Sequence, residues 1–336
     1  MTALLVLSAG AGVTVQDQGR PGHIGLGLSC GGAADRLALA EGAALLRQSP
    51  DLAALEMAGF GGSFTATGPL RIALTGAPMR ATLDGAPLAW NASHALPSGA
   101  RLEIGGAQSG VYGYLSVGGG FATETFLGAR ATHLAVGIGR GLAAGDRLPI
   151  GADTGDVVGL GLAVADRFNG GRVRVIASLQ TALFPEAEIA RFQATPFHRD
   201  ARANRQGVRL LPDGDGFGLA SGQSILSEII TPGDIQIPGD GAPFVLLPEA
   251  QTTGGYPRIG TVLPADLPLV AQCPAGGALR FAFVTLEEAM ALHRTYQTAT
   301  AQLSRHCAPL LRDPRDMPDL LSYQLISGMI TGTEDA

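Results

Sequence analysis

The sequence predicts a mainly β protein of two tandem β-rich halves with a few short helices. Three observations predict it. Short apolar runs of strand length recur along all 336 residues, cut apart by turns drawn from 49 Gly and 21 Pro. Few stretches carry the 3.6-residue period of a helix, so an alternating βαβ sheet is not indicated. A small, Gly-rich stretch near the middle separates two similar series of strands, and no short fixed repeat is visible.

The elements follow in order. Leu4–Leu7 reads as the first strand. A signal peptide is the poorer reading, because no basic residue precedes Arg20 and the apolar stretch is short. Ala33 to Arg47 reads as a helix, with Leu37, Ala40, Ala44 and Leu45 along one face and Gly31-Gly32 before it. Strands follow at Arg71–Leu74, Ala81–Leu83, Arg101–Ile104 and Tyr112–Val117. Asp84-Gly85 predicts a type I′ hairpin, whose two central residues need positive φ. Residues 1–155 are thus expected as a first β-rich domain, a barrel-like or sandwich fold, and 156–171 as a linker. A second such domain spans 172–290, with strands at Arg172–Ile176, Arg209–Leu211, Asp234–Ile237, Phe244–Leu247, Ile259–Leu263 and Ala278–Val284. Glu186–Ala194 is expected as a helix, and 291–336 as a helical tail. No run approaches the roughly 18 apolar residues that span a bilayer. The expectation is a cytoplasmic protein.

Composition removes several chemistries. All 23 basic residues are arginine, so no side chain here can form a Schiff base, carry biotin or act as a phosphate-binding P-loop lysine. Any anion must be gripped by arginine or backbone amides. A net charge of −6 argues against a general nucleic-acid footprint. Cys30, Cys273 and Cys307 show no paired spacing, which fits free thiols. The six histidines form no HxH or HExxH pattern, so no metal site is expected.

Gly25-Leu26-Gly27 resembles part of a dinucleotide fingerprint, but Cys30 replaces its third glycine and no strand precedes it. Three segments carry more weight. Gln16–Gly22, running on to Gly31–Arg36, brings free amides to a helix start, which is either an anion site or a plain capped helix. Asn204–Leu210 is a candidate binding segment whose plainer reading is a polar turn entering a strand. The third segment is "EAQTTGGYPRI", Glu249–Ile259, between two apolar strands. Gly254-Gly255 lets backbone approach a ligand, Gln251, Thr252 and Thr253 supply neutral donors and acceptors, and Arg258 can fork onto an anion. The plainer alternative is a stiff hairpin whose arginine pairs with a nearby aspartate.

Taken together, "TVQDQGRPG", "GGAADRLAL", "NRQGVRL", "SEIITPGDIQIPGDGAPFVLLPEAQTTGGYPRIGTVLPADLP" and "LRFAFVTLEEA" resemble the biotin-dependent carboxyltransferase-like family. That family includes allophanate hydrolase subunit 2, the carboxyltransferase region of urea carboxylase, and the C-type subunit of 5-oxoprolinase. The resemblance implies two cyclophilin-like β-barrels. It also implies a smaller partner of related fold, like the B-type subunit of 5-oxoprolinase, and for 5-oxoprolinase itself a TIM-barrel-like A-type subunit. The activity implied is ATP-dependent opening of the lactam 5-oxo-L-proline to L-glutamate, with Mg2+ accompanying the nucleotide. A carboxyltransferase component of a biotin-dependent urea or amide carboxylase is one alternative, with biotin on another polypeptide. A regulator that binds a kinase-inhibitor partner is another. In the lactam reading Arg258, Asp17 and Arg205 are the catalytic candidates. Gln251, Thr252, Thr253, Gly254, Gly255, Tyr256, Arg20, Asp35 and Asn204 would bind substrate.

Overall fold

The computed structural model describes residues 2–219 and 225–311. Two sheets make the first half. Strands Arg147–Pro149, Ala3–Ala9, Phe60–Ala66, Arg101–Ala107, Met79–Leu83 and Ala86–Pro87 form the first, in that spatial order. The second runs Val13–Gln16, Ala54–Ala58, Tyr112–Val117, Leu70–Gly76, Ala92–Leu96, Leu160–Leu162 and Cys307–Pro309. Leu4, Val6, Phe64 and Leu102 of the one meet Leu55, Ile72, Leu74 and Leu115 of the other in a single buried core. At the predicted hairpin, Asp84 and Gly85 take φ of 48° and 84°, the pair of positive values that a type I′ turn requires.

Helix α1, Arg36–Leu46, starts later than the apolar pattern suggests because Asp35 caps it: its carboxylate accepts from Ala38 N at 3.0 Å. Strand Leu70–Gly76 is buried at every residue rather than at alternate ones. Helix α1 covers its second face, where the Thr75 hydroxyl donates to the Ala38 carbonyl at 2.8 Å.

The second half is a closed seven-stranded barrel in the order Gly170–Ile176, Arg258–Val262, Asp234–Gln236, Phe244–Leu246, Gly207–Pro212, Phe197–Arg199, Ala278–Phe283. The last strand runs parallel to the first and seals the ring. Helix α2, Glu186–Ala194, lays Phe192 against Phe197, Phe217 and Phe281, with ring centroids 4.9 to 5.5 Å away. Edge-on and offset ring contacts of this kind add about 0.5–1.5 kcal/mol per pair beyond area burial.

Two short elements tie the halves together. Helix α3, Leu267–Gln272, places the Gln272 amide against the first half. Its oxygen accepts from Val111 N and Tyr112 N at 2.9 Å, and its nitrogen donates to Tyr112 O and Asp35 Oδ2. Within 156–171, Leu160–Leu162 joins the seven-stranded sheet. Helix α4, Leu286–Ala301, opens with a capping box between Thr285 and Glu288, after which Cys307–Pro309 pairs with Leu160–Leu162. The remainder of the expected helical tail, 312–336, lies outside the described residues. Among the described residues no helix is long and apolar enough to cross a membrane.

Candidate functional site

Pro257 and the glycine pair leave the chain between Glu249 and Arg258 unable to continue a regular barrel strand. Instead, Thr253–Gly254 pairs with Glu228–Ile229 as a two-stranded ribbon projecting from the barrel. Arg258 clamps its base. Its guanidinium binds Glu228 Oε2 at 2.5 Å and Asp234 Oδ2 at 3.2 Å, and its amide donates to Gln180 Oε1 at 2.9 Å. Gly254 lets the Gln236 side chain come close: a Cβ there would press into Gln236 Nε2.

Ribbon and barrel wall enclose a cavity of about 360 Å³. Gln251, Gly254, Gly255 and Tyr256 form its outer side, with Phe244 and Leu246 among its apolar lining. Gln236 lines it from the barrel wall. Only 6% exposed, it holds an amide nitrogen with no hydrogen-bond partner among the described residues. Buried donors are rarely left unpaired, and this one is also closed to solvent beside Gly254, so an acceptor reaches it only with a shift of the Gln236 side chain or the ribbon. Arg209 also lines the cavity, but its guanidinium is held between Asp200, at 3.0 Å, and Asp240. Hydrogen bonds to Asp240 and then Asp200 raise its pKa further, and Arg209 in turn lowers that of Asp240. The cavity therefore offers neutral amide donors and acceptors, an aromatic phenol and a fully compensated cation. It suits a compact, uncharged, planar polar group.

Of the expected binding residues, Gln251, Gly254, Gly255 and Tyr256 reach this cavity. Thr252 and Thr253 serve the ribbon: Thr252 O accepts from Ile230 N at 3.0 Å, and Thr253 pairs with Ile229. Arg258 braces the loop from outside the cavity lining. Asn204 folds back on its own turn, accepting from Gln206 N at 2.8 Å, and it is Gln206 that lines the cavity.

Arg205, Asp35, Asp17 and Arg20 are brought to the protein interior instead. Arg205, from the barrel, reaches across to Glu56 and Gly32 O of the first half and binds Glu249 Oε1 at 2.6 Å. Burial lowers its pKa, but Glu56 and Glu249 outweigh that and leave it raised. Tyr114 donates to Glu56 at 2.6 Å, and burial followed by that carboxylate lifts the phenol well above its ordinary range. Asp35 caps α1 and pairs with Arg167 at 2.7 Å while fully buried. Asp17 accepts from Gly19 N and Arg130 N at 2.8 and 2.6 Å. Arg20 donates to Phe126 O and Ala131 O. These side chains hold loops and halves together. The amides at the start of α1 are committed too: Gly31, Ala33, Ala34 and Asp35 donate to Pro248 O, Asp17 O, Glu56 and the Tyr114 hydroxyl. With Ala38 N also given to Asp35, these amides serve the capped-helix alternative rather than an anion.

Sequence reasoning missed Gln236, Gln206, Arg209 and Asp240. Gln236 had a faint signal, being a neutral amide between Ile235 and Ile237 in a core strand, but its burial depends on a loop distant in sequence. Among the described residues no group of three or more His, Cys, Asp or Glu is placed to hold a metal.

Comparison with known proteins agrees with this architecture. Residues 26–283 match the family described as carboxyltransferase domain, subdomain A and B. The chain is 34% identical over 313 residues to the C-type subunit of 5-oxoprolinase from Escherichia coli (strain K12), covering 90% of this chain and 97% of that protein. It superposes on the crystal structure of TTHA0988 with a TM-score of 0.77 and 32% identity, covering 84% of this chain and 56% of that one. The Kluyveromyces lactis urea carboxylase structure matches 93% of this chain with a TM-score of 0.79 at 24% identity, a likeness of fold, and this chain covers 31% of it.

Proposed function

The chain belongs to the carboxyltransferase domain, subdomain A and B family, and from that premise we propose that it is the lactam-holding component of an ATP-dependent 5-oxoprolinase. The observation that carries this reading is the cavity at the Gln251–Tyr256 loop, with the unpartnered Gln236 amide among its lining. 5-Oxo-L-proline presents a ring carbonyl and a ring N–H, which these neutral groups can meet, and a carboxylate, whose counter-charge this lining does not supply and a partner subunit would. In this reading the Gln236 amide, turned toward the cavity, donates to the carbonyl, the Gln251 amide accepts the N–H, and Tyr256 covers the ring. Holding a small amide still in this way removes orientational freedom before any bond is broken.

The residues around the cavity do not fit a triphosphate. Its one guanidinium is already shared between two carboxylates, and the chain has no lysine. In this reading nucleotide and Mg2+ are held by another polypeptide, either the smaller B-type partner or the TIM-barrel-like A-type partner, and this chain is inactive alone. The compensated Arg209 favours one second reading: an uncharged ureide, unlike 5-oxoproline with its carboxylate, needs no free cation, which would make this chain a carboxyltransferase component served by a separate biotinylated carrier.

Reconstitution with the smaller partner and the TIM-barrel-like partner tests the proposal. ATP-dependent glutamate release from 5-oxoproline should vanish when this chain is omitted. Gln236→Leu should lower it by about tenfold or more, the cost of a lost hydrogen bond in a buried site. Release undiminished without this chain overturns the proposal, and carboxylation of urea by the chain with a biotinylated carrier favours the second reading.

A further inference from the structure

A second cavity, of about 380 Å³, lies where the start of α1 faces the barrel and α4. Four prolines, Pro232, Pro248, Pro264 and Pro268, supply much of its wall. Their rings have few rotatable bonds, so this space is largely preformed and costs little ordering to fill. Tyr296 of α4 contributes an aromatic side chain. Burial raises the pKa of its phenol, so it is uncharged at neutral pH and can act as a hydrogen-bond donor.

The charged group lining this cavity is Arg36. Unlike Arg209 in the first cavity, it has no carboxylate partner among the described residues. Its Nη2 meets only Cys30 Sγ at 3.1 Å and Gly31 O at 3.4 Å. The nearest acidic neighbour in sequence, Asp35, is already bound to Arg167 and Gln272 and is fully buried. Arg36 is exposed, so its solvated guanidinium stands at the mouth of this apolar chamber, and the pair of them has a specific complement. A carboxylate satisfies the fork of the arginine, and a short apolar body fills the space among the prolines.

We propose that this cavity binds a small organic monocarboxylate, its acid group on Arg36 and its hydrocarbon body between Pro232, Pro248, Pro264 and Tyr296. The site is separate from the ribbon cavity, and the proposal does not depend on the lactam reading. Cys30 lines the same space and is half-buried, so its thiol reports occupancy.

Titration of the full chain with butyrate and hexanoate by calorimetry, with butyramide as the uncharged control, tests it. The acids should bind saturably and the amide should not. Arg36→Gln should weaken binding by about tenfold or more, the size of a lost charge-assisted hydrogen bond, and Arg36→Lys should retain part of it. In the unmodified protein, saturating hexanoate should slow alkylation of Cys30 by iodoacetamide, followed by mass spectrometry of its peptide. Absence of saturable binding, equal binding by Arg36→Gln, or an unchanged Cys30 alkylation rate would each overturn the proposal.

Discussion

Arg205 reaches from the barrel into the first half. Its guanidinium satisfies Glu56, Glu249 and a backbone carbonyl across the boundary between the halves. Arg205→Ala should cost about 3–5 kcal/mol, because two buried carboxylates lose their counter-charge, and denaturant unfolding will measure it. Adding Glu56→Gln and Glu249→Gln should recover much of that loss. Beside this cluster His133 is 1% exposed and shares a 2.8 Å hydrogen bond with Ser29 Oγ. Burial first, then Arg20 and Arg205, lower its pKa against the opposing pull of Glu249. The unfolded chain therefore takes up a proton near pH 6.5 that the folded chain refuses. Its contribution is fully present above about pH 6.5 and is lost as the pH falls through the lower folded value. His133→Gln should flatten the acid limb of the stability curve, which urea melts between pH 5 and 7.5 can read. An acid limb of unchanged slope would contradict this.

At the scale of elements, local chemistry was written plainly in the sequence where neighbours decide it. Asp84-Gly85 forms its hairpin because the two positive φ values are a property of that dipeptide. Helix α2 begins and ends where its pattern says it should. Legibility failed where partners are far apart in the chain. Nothing near residue 307 shows that Cys307–Pro309 will pair with Leu160–Leu162. Nothing near Arg258 says whether its fork meets an anion or, as here, Glu228 and Asp234. The glycine pair was legible as a place of close approach, though what approaches Gly254 is the Gln236 side chain. Gly254→Ala separates binding from stability. Its backbone suits alanine, and the conflict is with the far end of the flexible Gln236 side chain. Stability should change by no more than about 1 kcal/mol, while activity of the reconstituted complex falls about tenfold through the displaced amide. Gly207→Ala should instead lower stability and, through the Phe244 ring in the cavity lining, activity as well. Its Cβ would meet Val245 O at 2.7 Å and run into the Phe244 ring, costing about 1–3 kcal/mol of stability.

For the whole molecule, the sequence reads as two similar halves, and composition alone suggests two units folding apart. The buried groups argue otherwise. One continuous apolar core includes Ala33, Ala38, Leu39 and Tyr114 of the first half with Val208, Ile235 and Phe281 of the barrel. Three polar ties hold the boundary: Arg205 to Glu56, Gln272 to Asp35 and Tyr112, and Arg167, from the segment that leads into the barrel, to Asp35 and Glu41. Each leaves a buried charge or amide unpaired if the halves part, at about 1–3 kcal/mol or more apiece. The strand Cys307–Pro309 adds a fourth tie, because the chain leaves the first half, builds the barrel and then returns to complete the first half's sheet. Opening the boundary therefore destabilises both halves together. Scanning calorimetry of the intact chain should show one transition, with calorimetric and van't Hoff enthalpies in agreement, although the chain is larger than most two-state proteins. Asp35→Asn should lower the midpoint of that transition without splitting it. Two separable transitions in either protein would mean that the shared core and its buried polar ties do not couple the halves.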